Sequence, residues 1–482
     1  MSIDGDVTLN KGFSDVWVLK LDAAGNLQWQ KTYGGSRDES AASVEQTLDG
    51  GYIVAAGTNS FDGDVTGFHG DSSNYANDAW ILKLNADGNL EWQKCVGGSQ
   101  NDGTTSIRQS DNGDYIFTGS TYSSDGDVTM NHGLSDGWVV CLDQSGSLIW
   151  QKTLGGSNTE TFYSLQLTLD GGIAVAGYTA SKDGDITKHH SFFNGPLDYW
   201  LVKLDANGNK LWDRCYGGAN NDFCYSVKQT TDNGFVLCGH SYSFSGDISA
   251  TKKRGGADYW VVKTDSMGNI QWQKSLGGTI DDLAKDVVQT KDEGYVVIGD
   301  ATSNNKDVPG NKGSYDYWLL KLSKRGKLEG SVNLGGSGAD VPFSMVQTEN
   351  GDFVIAGLSS SNDGDVSGNH GGNDVWVVRV TEGATDKEST EEIADAAKAS
   401  ENLFTPLNTA SLYPNPTAST FYIQANESPQ AVFVYDLHGK LIEADNDFSR
   451  ENAIGEDLPS GFYLIKAFFA DGHIQIMKAL KE

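Results

Sequence analysis

Tryptophan recurs along this chain of 482 residues at a spacing that points to a repeated structure. Seven tryptophans stand in an Asp-x-Trp motif at intervals of about 60 residues, namely Trp17, Trp80, Trp138, Trp200, Trp260, Trp318 and Trp376. The other five lie twelve residues after one of these, at Trp29, Trp92, Trp150, Trp212 and Trp272. Such self-similarity at a fixed period predicts an array of near-identical units up to about residue 380.

Each period contains four short segments with the character of β-strands. In residues 17–21 the side chains of Trp17, Leu19 and Leu21 lie on one face, and those of Val18 and Lys20 lie on the other. This is the two-residue period of a half-buried strand. Hairpin turn signals at Ala24-Gly25-Asn26 and Asp49-Gly50-Gly51 connect further strands at residues 27–33, 43–47 and 52–56. Units of four antiparallel strands are typical of β-propeller blades. A solenoid is the alternative, but its parallel coils are shorter and lack hairpin turns.

The motifs of the repeat also carry a family resemblance. The series Asp-x-Trp-x-x-Lys-Leu-Asp, Gly-Asn, Trp-Gln-Lys, Gly-Gly-Ser, Asp-Gly-Gly-Tyr and Ala-Gly resembles the SBBP-type repeat of bacterial surface β-propellers. Counted from the second strand of the repeat, six units are complete and the strand at Trp17 is left over. The resemblance implies seven blades, which we favour, and six blades remain the alternative.

A change of composition follows the repeats. Residues 381–410 are acidic and predict a solvated linker. Residues 411–482 contain Leu-Tyr-Pro-Asn-Pro, Phe-Tyr-Ile, Val-Phe-Val-Tyr-Asp and Leu-Pro-Ser-Gly-Phe-Tyr-Leu-Ile, and this series resembles the type A C-terminal sorting domain of Bacteroidetes type IX secretion cargo. Alternating strands and turn residues predict a small β-sandwich there. We therefore expect an all-β chain, a propeller over residues 1–380 followed by this sandwich.

The sorting-domain resemblance implies a location and a partner. Cargo of this kind engages the type IX secretion machinery through the tail, here residues 411–482, and becomes extracellular or attached to the outer cell surface. The resemblance also implies a signal peptide in the precursor, but Met1–Lys11 lacks the charged and apolar layout of one. We expect a clipped start on these grounds.

Charge excludes one class of partner. With 35 Lys and Arg against 65 Asp and Glu, the net charge is −30, which argues against nucleic-acid binding by phosphate neutralisation. No apolar run approaches the roughly 20 residues that a transmembrane helix needs. Five cysteines cannot all pair within one chain, and we interpret them as small apolar residues. Cys224 and Cys238, on adjacent predicted strands, are the one pair within reach.

The connections of the meander place candidate binding loops at one end of the propeller. In each repeat a Gly-Gly pair, such as Gly34-Gly35, connects the second and third strands, and a segment of variable length connects the fourth strand to the next repeat. By the alternation of strand direction, this Gly-Gly connection and this variable connection share an end, where binding loops are expected. The variable connection repeats Asp-Gly-Asp, whose carboxylates suit calcium, although turn formation and capping of backbone amides also explain the motif. The candidate calcium ligands are Asp62, Asp64, Asp125, Asp127, Asp183, Asp185, Asp363 and Asp365. Turn formation is the interpretation we prefer, so that no cofactor is required.

A basic or titratable residue lies five positions after the second aspartate of each variable connection, including the two connections that retain only this aspartate, Asp247 or Asp307. The seven candidates for ligand binding are Lys11, His69, His132, His190, Lys252, Lys312 and His370. Such a ring could hold an anionic glycan or respond to pH. The alternative, which we favour, is that each residue pairs locally with a nearby aspartate.

The sequence contains no catalytic motif that we recognise. Catalysis normally breaks repeat symmetry, and no nucleophile elbow, metalloprotease helix or sialidase box is present. The prediction is a non-enzymatic surface propeller that binds glycan or protein ligands. A propeller hydrolase or lyase acting on polysaccharide is the second hypothesis, and a structural spacer is the third. The tryptophans are predicted to be core residues, not platforms for sugars.

Overall fold

A computed structural model shows an all-β chain and confirms the predicted fold class. It describes residues 7, 9–70, 76–190, 195–248 and 255–382, and then the stretches 404–406, 410–413, 420–425, 428–436, 440–445, 453–456, 458–469 and 474–481. Within these stretches every regular element is a strand. None of them contains a helix long and apolar enough to cross a membrane.

The repeats form consecutive antiparallel sheets, as expected for a β-propeller. A two-stranded sheet comes first, with β1 (Val16–Leu21) and β2 (Leu27–Tyr33). Five four-stranded sheets follow in chain order: β3 (Glu39–Gln46), β4 (Tyr52–Thr58), β5 (Asp78–Leu84), β6 (Leu90–Val96); β7 (Asp102–Gln109), β8 (Tyr115–Thr121), β9 (Asp136–Leu142), β10 (Leu148–Leu154); β11 (Glu160–Leu167), β12 (Ile173–Thr179), β13 (Asp198–Leu204), β14 (Lys210–Tyr216); β15 (Asp222–Gln229), β16 (Phe235–Ser241), β17 (Asp258–Thr264), β18 (Ile270–Leu276); β19 (Asp282–Gln289), β20 (Tyr295–Ala301), β21 (Asp316–Leu322), β22 (Leu328–Leu334).

The last repeat sheet contains β23 (Asp340–Gln347), β24 (Phe353–Ser359) and β25 (Asp374–Glu382), and a short β26 (Phe404–Pro406) pairs with the end of β25. The pairing of β26 therefore lies inside the range predicted as a linker, residues 381–410. Most other positions of that range lie outside the described residues.

The sheets are out of phase with the sequence period. The prediction of a leftover strand at Trp17 is wrong, because β1 pairs with β2 from Val16–Tyr33 to Leu21–Leu27. A complete sheet instead starts at the third strand of one period and ends at the second strand of the next, so the described residues give five complete four-stranded repeat sheets. The Gly-Gly connection thus passes between sheets, while the two tight hairpins and the variable connection lie within a sheet.

Turn chemistry explains where the hairpins form. In the turn between β1 and β2, Asp22 Oδ1 accepts hydrogen bonds from the backbone amides of Ala24 (2.9 Å) and Asn26 (2.8 Å). Gly25 occupies the left-handed region at φ 83°, where a side chain is disfavoured. The same local pattern recurs at Asp205, whose Oδ1 accepts from Asn207 and Asn209.

The core lies between the sheets. Tryptophans of the Asp-x-Trp motif in the five complete sheets, Trp80, Trp138, Trp200, Trp260 and Trp318, are fully buried. One apolar cluster joins Ile81 of β5 to Ile107 of β7 and Trp138 of β9, and the same arrangement recurs between later sheets. The tryptophans of the second set are only partly buried and pack against the turn glycine of the next sheet, as Trp92 does against Gly146.

The first strands of neighbouring sheets lie beside one another and form the inner wall of the array. Their contacts include hydrogen bonds, for example from Val227 N of β15 to Ser164 Oγ of β11 (3.1 Å). Another runs from Met345 N of β23 to Asp286 Oδ2 of β19 (3.1 Å). At the two ends of the array the corresponding apolar faces are exposed, as at Val44 of β3 and Val377 of β25.

The remaining strands form a separate two-sheet unit. One sheet contains β27 (Ala410–Tyr413), β28 (Phe421–Ala425) and β31 (Ala453–Ile454), and the other contains β30 (Leu441–Asp445), β29 (Ala431–Asp436), β32 (Gly461–Phe468) and β33 (Ile474–Lys481). Both sheets contribute to one core, where Phe421 and Ile454 join Val434, Ile465 and Met477. This unit is the small β-sandwich that the sequence predicts.

Candidate functional site

The Asp-Gly-Asp loops cap the Gly-Gly connections. Asp62 Oδ1 accepts a hydrogen bond from Ser36 N (2.8 Å), and Asp64 Oδ2 accepts one from Gly34 N (3.1 Å). Equivalent bonds reach Asp125, Asp127, Asp183, Asp185, Asp363 and Asp365. These amides hold the pKa of Asp125, Asp183 and Asp363 below the ordinary range. The geometry is that of turn and amide capping, and no group of three or more His, Cys, Asp or Glu side chains arranged for a metal occurs among the described residues.

The basic positions connect one sheet to the next. His190 Nδ1 lies 2.9 Å from Asp198 Oδ2 of its own sheet, and its Nε2 lies 3.2 Å from Asp247 Oδ2 of the following one. His69 bridges Asp78 (2.8 Å) and Asp127 (3.5 Å) in the same way.

The other described members pair similarly. The ammonium of Lys11 contacts Asp64, that of Lys312 contacts Asp365, and His132 and His370 pair with Asp136 and Asp374. Lys252 lies outside the described residues. The described candidates therefore meet aspartates, and four of them reach an aspartate of the next sheet. This fits the structural alternative better than an anion site.

Two carboxylates lie beside each Gly-Gly connection, and both are buried at the five connections after the first. Beside Gly97, Asp78 and Asp102 are almost wholly buried, and Asp102 Oδ2 accepts a hydrogen bond from Gly98 N (2.6 Å). Burial raises the pKa of Asp78 to about 6 and, at a later connection, that of Asp222 to about 7. Asp78 Oδ1 has no hydrogen-bond partner among the described residues. These carboxylates repeat in every sheet and thus belong to the scaffold.

We expect Gly97→Ala to destabilise the propeller by about 1–3 kcal/mol, because the new side chain overpacks a closed space. A Cβ at Gly97 would lie 2.7 Å from Asp102 Oδ2 and 2.9 Å from Asp78 Oδ1. Gly103→Ala is the matched control, since a Cβ there meets nothing within 4 Å. Thermal unfolding of both variants checks the prediction, and equal unfolding midpoints would contradict it. Space, not a left-handed backbone, requires this glycine, since even Gly217 at the equivalent position is nearly extended (φ 159°).

An aromatic cluster on the inner wall is the strongest departure from the repeat. It consists of Tyr163, Tyr178, Phe223, Tyr225, His240 and Tyr242, and we call it the inner-wall aromatic cluster. Tyr163 packs against Tyr225 of the next sheet with ring centroids 5.0 Å apart, and Tyr178 packs against Phe223 at 5.5 Å. His240 stacks on Phe223 at 4.9 Å. The four tyrosines are partly exposed, so their rings form an accessible surface.

Charged groups from the following sheet complete this surface. Lys285 Nζ lies 4.9 Å from the centroid of the Tyr225 ring and 3.5 Å from Asp300 Oδ1. Burial raises the pKa of Tyr225 to about 12 and also raises the pKa of Asp300. Tyr242 donates from its hydroxyl to Asp281 Oδ2 at 3.5 Å. The cluster therefore combines flat rings with a buried carboxylate, an ammonium and phenol hydroxyls.

Sequence analysis overlooked this cluster, although the signal was present. The fourth position of the first strand holds Ala42 and Thr105 in the first two complete sheets, but Tyr163 and Tyr225 in the next two. The repeat motifs lie at glycines, aspartates and tryptophans, which recur in each repeat because folding requires them. The feature that marks a site is instead a change of residue type between repeats at one position of the first strand, here the fourth.

The cysteines form no part of this site. Cys224 packs in the core cluster on one face of its sheet, and Cys238 packs in the cluster on the other face. Their side chains therefore point apart, and the one disulfide considered from the sequence does not form. Burial raises the pKa of both thiols, which makes them unreactive.

Comparison with known proteins decides the nature of the C-terminal unit. Residues 411–479 match the model of the secretion system C-terminal sorting domain. The β-sandwich is a type IX secretion sorting domain. This sorting domain makes the chain cargo of the type IX secretion machinery, with an extracellular or cell-surface location.

The chain also has more distant relatives. Over 205 residues, 40% of this chain, it is 29% identical to the regulatory protein FlaEY of Caulobacter vibrioides, and this match spans 21% of that protein's length. Among solved structures it is similar to Sqt1 from Chaetomium thermophilum, with 12% identity, coverage of 92% of this chain and 97% of the other, and a TM-score of 0.37. A glucose dehydrogenase is 11% identical, with coverage of 68% and 95% and a TM-score of 0.35.

Proposed function

We propose that this secreted propeller is a non-enzymatic binding protein that holds an extracellular glycan on the inner-wall aromatic cluster. The observation that carries the proposal is the concentration of five aromatic rings and one imidazole on two neighbouring sheets, Tyr163 to Tyr242, in an otherwise regular repeat. The cluster lies where the first and second strands meet the Gly-Gly and variable connections, at the end of the propeller whose loops vary.

A glycan suits this surface better than other extracellular ligands. Flat tyrosine rings pack against the apolar face of a sugar, while the phenol hydroxyls and the Lys285 ammonium offer hydrogen bonds to its hydroxyl groups. The ammonium of Lys285 is already balanced by Asp300, which leaves little net attraction for an anion. The net charge of −30 further disfavours a polyanion.

Binding is favoured over catalysis because the buried carboxylates have structural partners. Asp102 and its counterparts repeat in every complete sheet and accept bonds from Gly-Gly amides, so they do not single out one sheet. In the cluster itself, Asp300 faces Lys285. Glycoside hydrolysis uses a pair of carboxyl groups on either side of the scissile bond, and the cluster contributes aromatic surface instead.

We expect Tyr225→Ala to weaken glycan binding about tenfold, the equivalent of about 1.4 kcal/mol for one lost aromatic contact. The measurement is a glycan-array screen of the full chain, run with calcium and with chelator, followed by titration of the best ligand. Phe343→Ala is the matched control, because Phe343 occupies the same strand position in the last sheet, is 57% exposed and lies outside the cluster. Its affinity should stay within twofold of the wild type.

Four outcomes would contradict or revise the proposal. Equal losses in Tyr225→Ala and Phe343→Ala would place binding elsewhere, and binding to proteins but to no glycan would replace the ligand class. Cleavage of an array polysaccharide, abolished by one substitution, would establish the hydrolase or lyase hypothesis instead. Binding that the chelator removes would make the Asp-Gly-Asp loops calcium sites.

A further inference from the structure

A cleft lies at the opposite end of the propeller, between the sheets β3–β6 and β7–β10. Its volume is about 370 Å³, and its lining includes Trp92, Tyr115, Glu91, Asn112 and Gln144. These residues come from hairpin turns and adjoining strand ends, whereas the inner-wall aromatic cluster lies at the other end of a different pair of sheets. A strand of seven residues spans roughly 23 Å, so the two surfaces are separate.

The polar groups of the cleft are held in place by the turns. Lys83, which is 3% exposed, forms ion pairs with Asp49 Oδ2 (2.8 Å) and Glu91 Oε2 (3.0 Å). Gln144 donates from its side-chain amide to Asn112 O (3.0 Å), which links the two turns of the second sheet. Because these side chains are already oriented, a ligand would lose little free energy in ordering them.

The aromatic wall of the cleft has an unused donor. The rings of Trp92 and Tyr115 lie 5.8 Å apart and meet at 58°. In the part of the chain that the structure describes, the indole N–H of Trp92 has no hydrogen-bond partner. At the equivalent place three sheets later, the indole of Trp272 donates to Lys324 O (3.1 Å), and the Lys324 ammonium pairs with Glu293 (2.6 Å) across the turns. Contacts within the protein thus occupy the indole N–H of Trp272, whereas that of Trp92 is available to a ligand.

We propose that this cleft is a second binding site, specific for an uncharged sugar unit of a glycan. The Trp92 and Tyr115 rings offer an apolar surface to one face of a pyranose, and the indole N–H, Glu91, Asn112 and Gln144 offer donors and acceptors to its hydroxyls. The lining of the cleft contains three acidic groups, Asp49, Glu91 and Asp111, for the one buried ammonium of Lys83. This excess of negative charge repels sulfated and uronic sugars.

The test titrates the full chain with uncharged gluco-, manno-, galacto- and xylo-oligosaccharides by isothermal calorimetry. Trp92→Ala should weaken binding of the preferred sugar at least tenfold, and Gln144→Ala about threefold. Trp272→Ala is the matched control, because Trp272 packs on Gly326 as Trp92 packs on Gly146, so both variants lose the same structural contact. We expect Trp272→Ala to retain wild-type affinity for this sugar.

Tyr225→Ala separates this site from the inner-wall aromatic cluster. If that variant keeps the binding that Trp92→Ala and Gln144→Ala lose, the cleft is a site of its own whatever the cluster binds. Equal losses in Trp92→Ala and Trp272→Ala would overturn the proposal, as would the absence of binding to any uncharged oligosaccharide. Binding of basic peptides alone, lost in Glu91→Gln, would also overturn it in favour of a protein ligand.

Discussion

Replacement of Trp200 by alanine is expected to lower the free energy of unfolding by about 3–5 kcal/mol, the range for deleting a buried large aromatic side chain. Trp200 is completely buried, and its ring stacks on Phe162 with centroids 5.1 Å apart. Its indole nitrogen donates to Asp213 Oδ2 at 3.2 Å. The substitution therefore opens a cavity between two sheets and removes a donor from a buried carboxylate.

Urea unfolding monitored by circular dichroism measures this effect. Leu169→Ala is the control, since Leu169 is 83% exposed and its loss should change stability by less than about 0.5 kcal/mol. A loss below about 1 kcal/mol in Trp200→Ala would contradict the core position of this tryptophan. Trp200→Phe should fall between the wild type and the alanine variant, because it restores most of the buried volume.

The second large effect is a decrease in stability as pH rises from about 4 to about 7. Burial raises the pKa of Asp222 to about 7 and that of Asp78 and Asp316 to about 6, whereas the ordinary value is 3.8. Between these values the folded protein binds more protons than the unfolded chain, so the free energy of unfolding falls with rising pH. At about 1.4 kcal/mol for each pKa unit, every such carboxyl contributes on the order of 3 kcal/mol.

Other groups determine the limits of this range. The Asp198 hydrogen bond raises the pKa of His190, so the stabilising charge of His190 is also lost as pH rises. Lysine and hydroxyl partners lower the pKa of Asp49 and Asp170, whose contributions are lost as the pH falls below the ordinary aspartate value. Stability should therefore be greatest near pH 4–5.

Thermal unfolding midpoints between pH 4 and pH 8 check the direction. Asp222→Asn is the informative variant, because an amide cannot ionise but has nearly the same shape. It should be more stable than the wild type at pH 8 and should show a shallower dependence on pH. A midpoint that rises steadily from pH 5 to pH 8, or an Asp222→Asn curve parallel to that of the wild type, would contradict the assignment.

Much of the fold was accessible from the sequence because its determinants are local. Alternation of side chains in strands such as residues 17–21 and turn signals such as Asp22 to Asn26 act over a few residues. The tail was recognisable for the same reason, since its motifs between Leu412 and Ile465 are short and specific. The Asp-Gly-Asp side chains accept hydrogen bonds from backbone amides, which is the geometry of the turn interpretation.

The two proposed binding surfaces were not accessible in this way. Tyr163 and Tyr225 are about 60 residues apart in the sequence, and Trp92 and Gln144 are about 50 apart. Only packing of neighbouring sheets brings each pair together. A repeat motif records what all units share, whereas a site depends on the side chains in which adjacent units differ.

The sequence by itself determined the strands, the hairpins, the two kinds of unit and the secretion tail. Tertiary structure decided which strands share a sheet, and thereby paired β1 with β2 and moved each sheet boundary to the Gly-Gly connection. It also decided that His69 and His190 bridge to the next sheet. The physical reason is distance along the chain, because strand and turn preferences act between near neighbours, while contacts between sheets depend on how whole units pack.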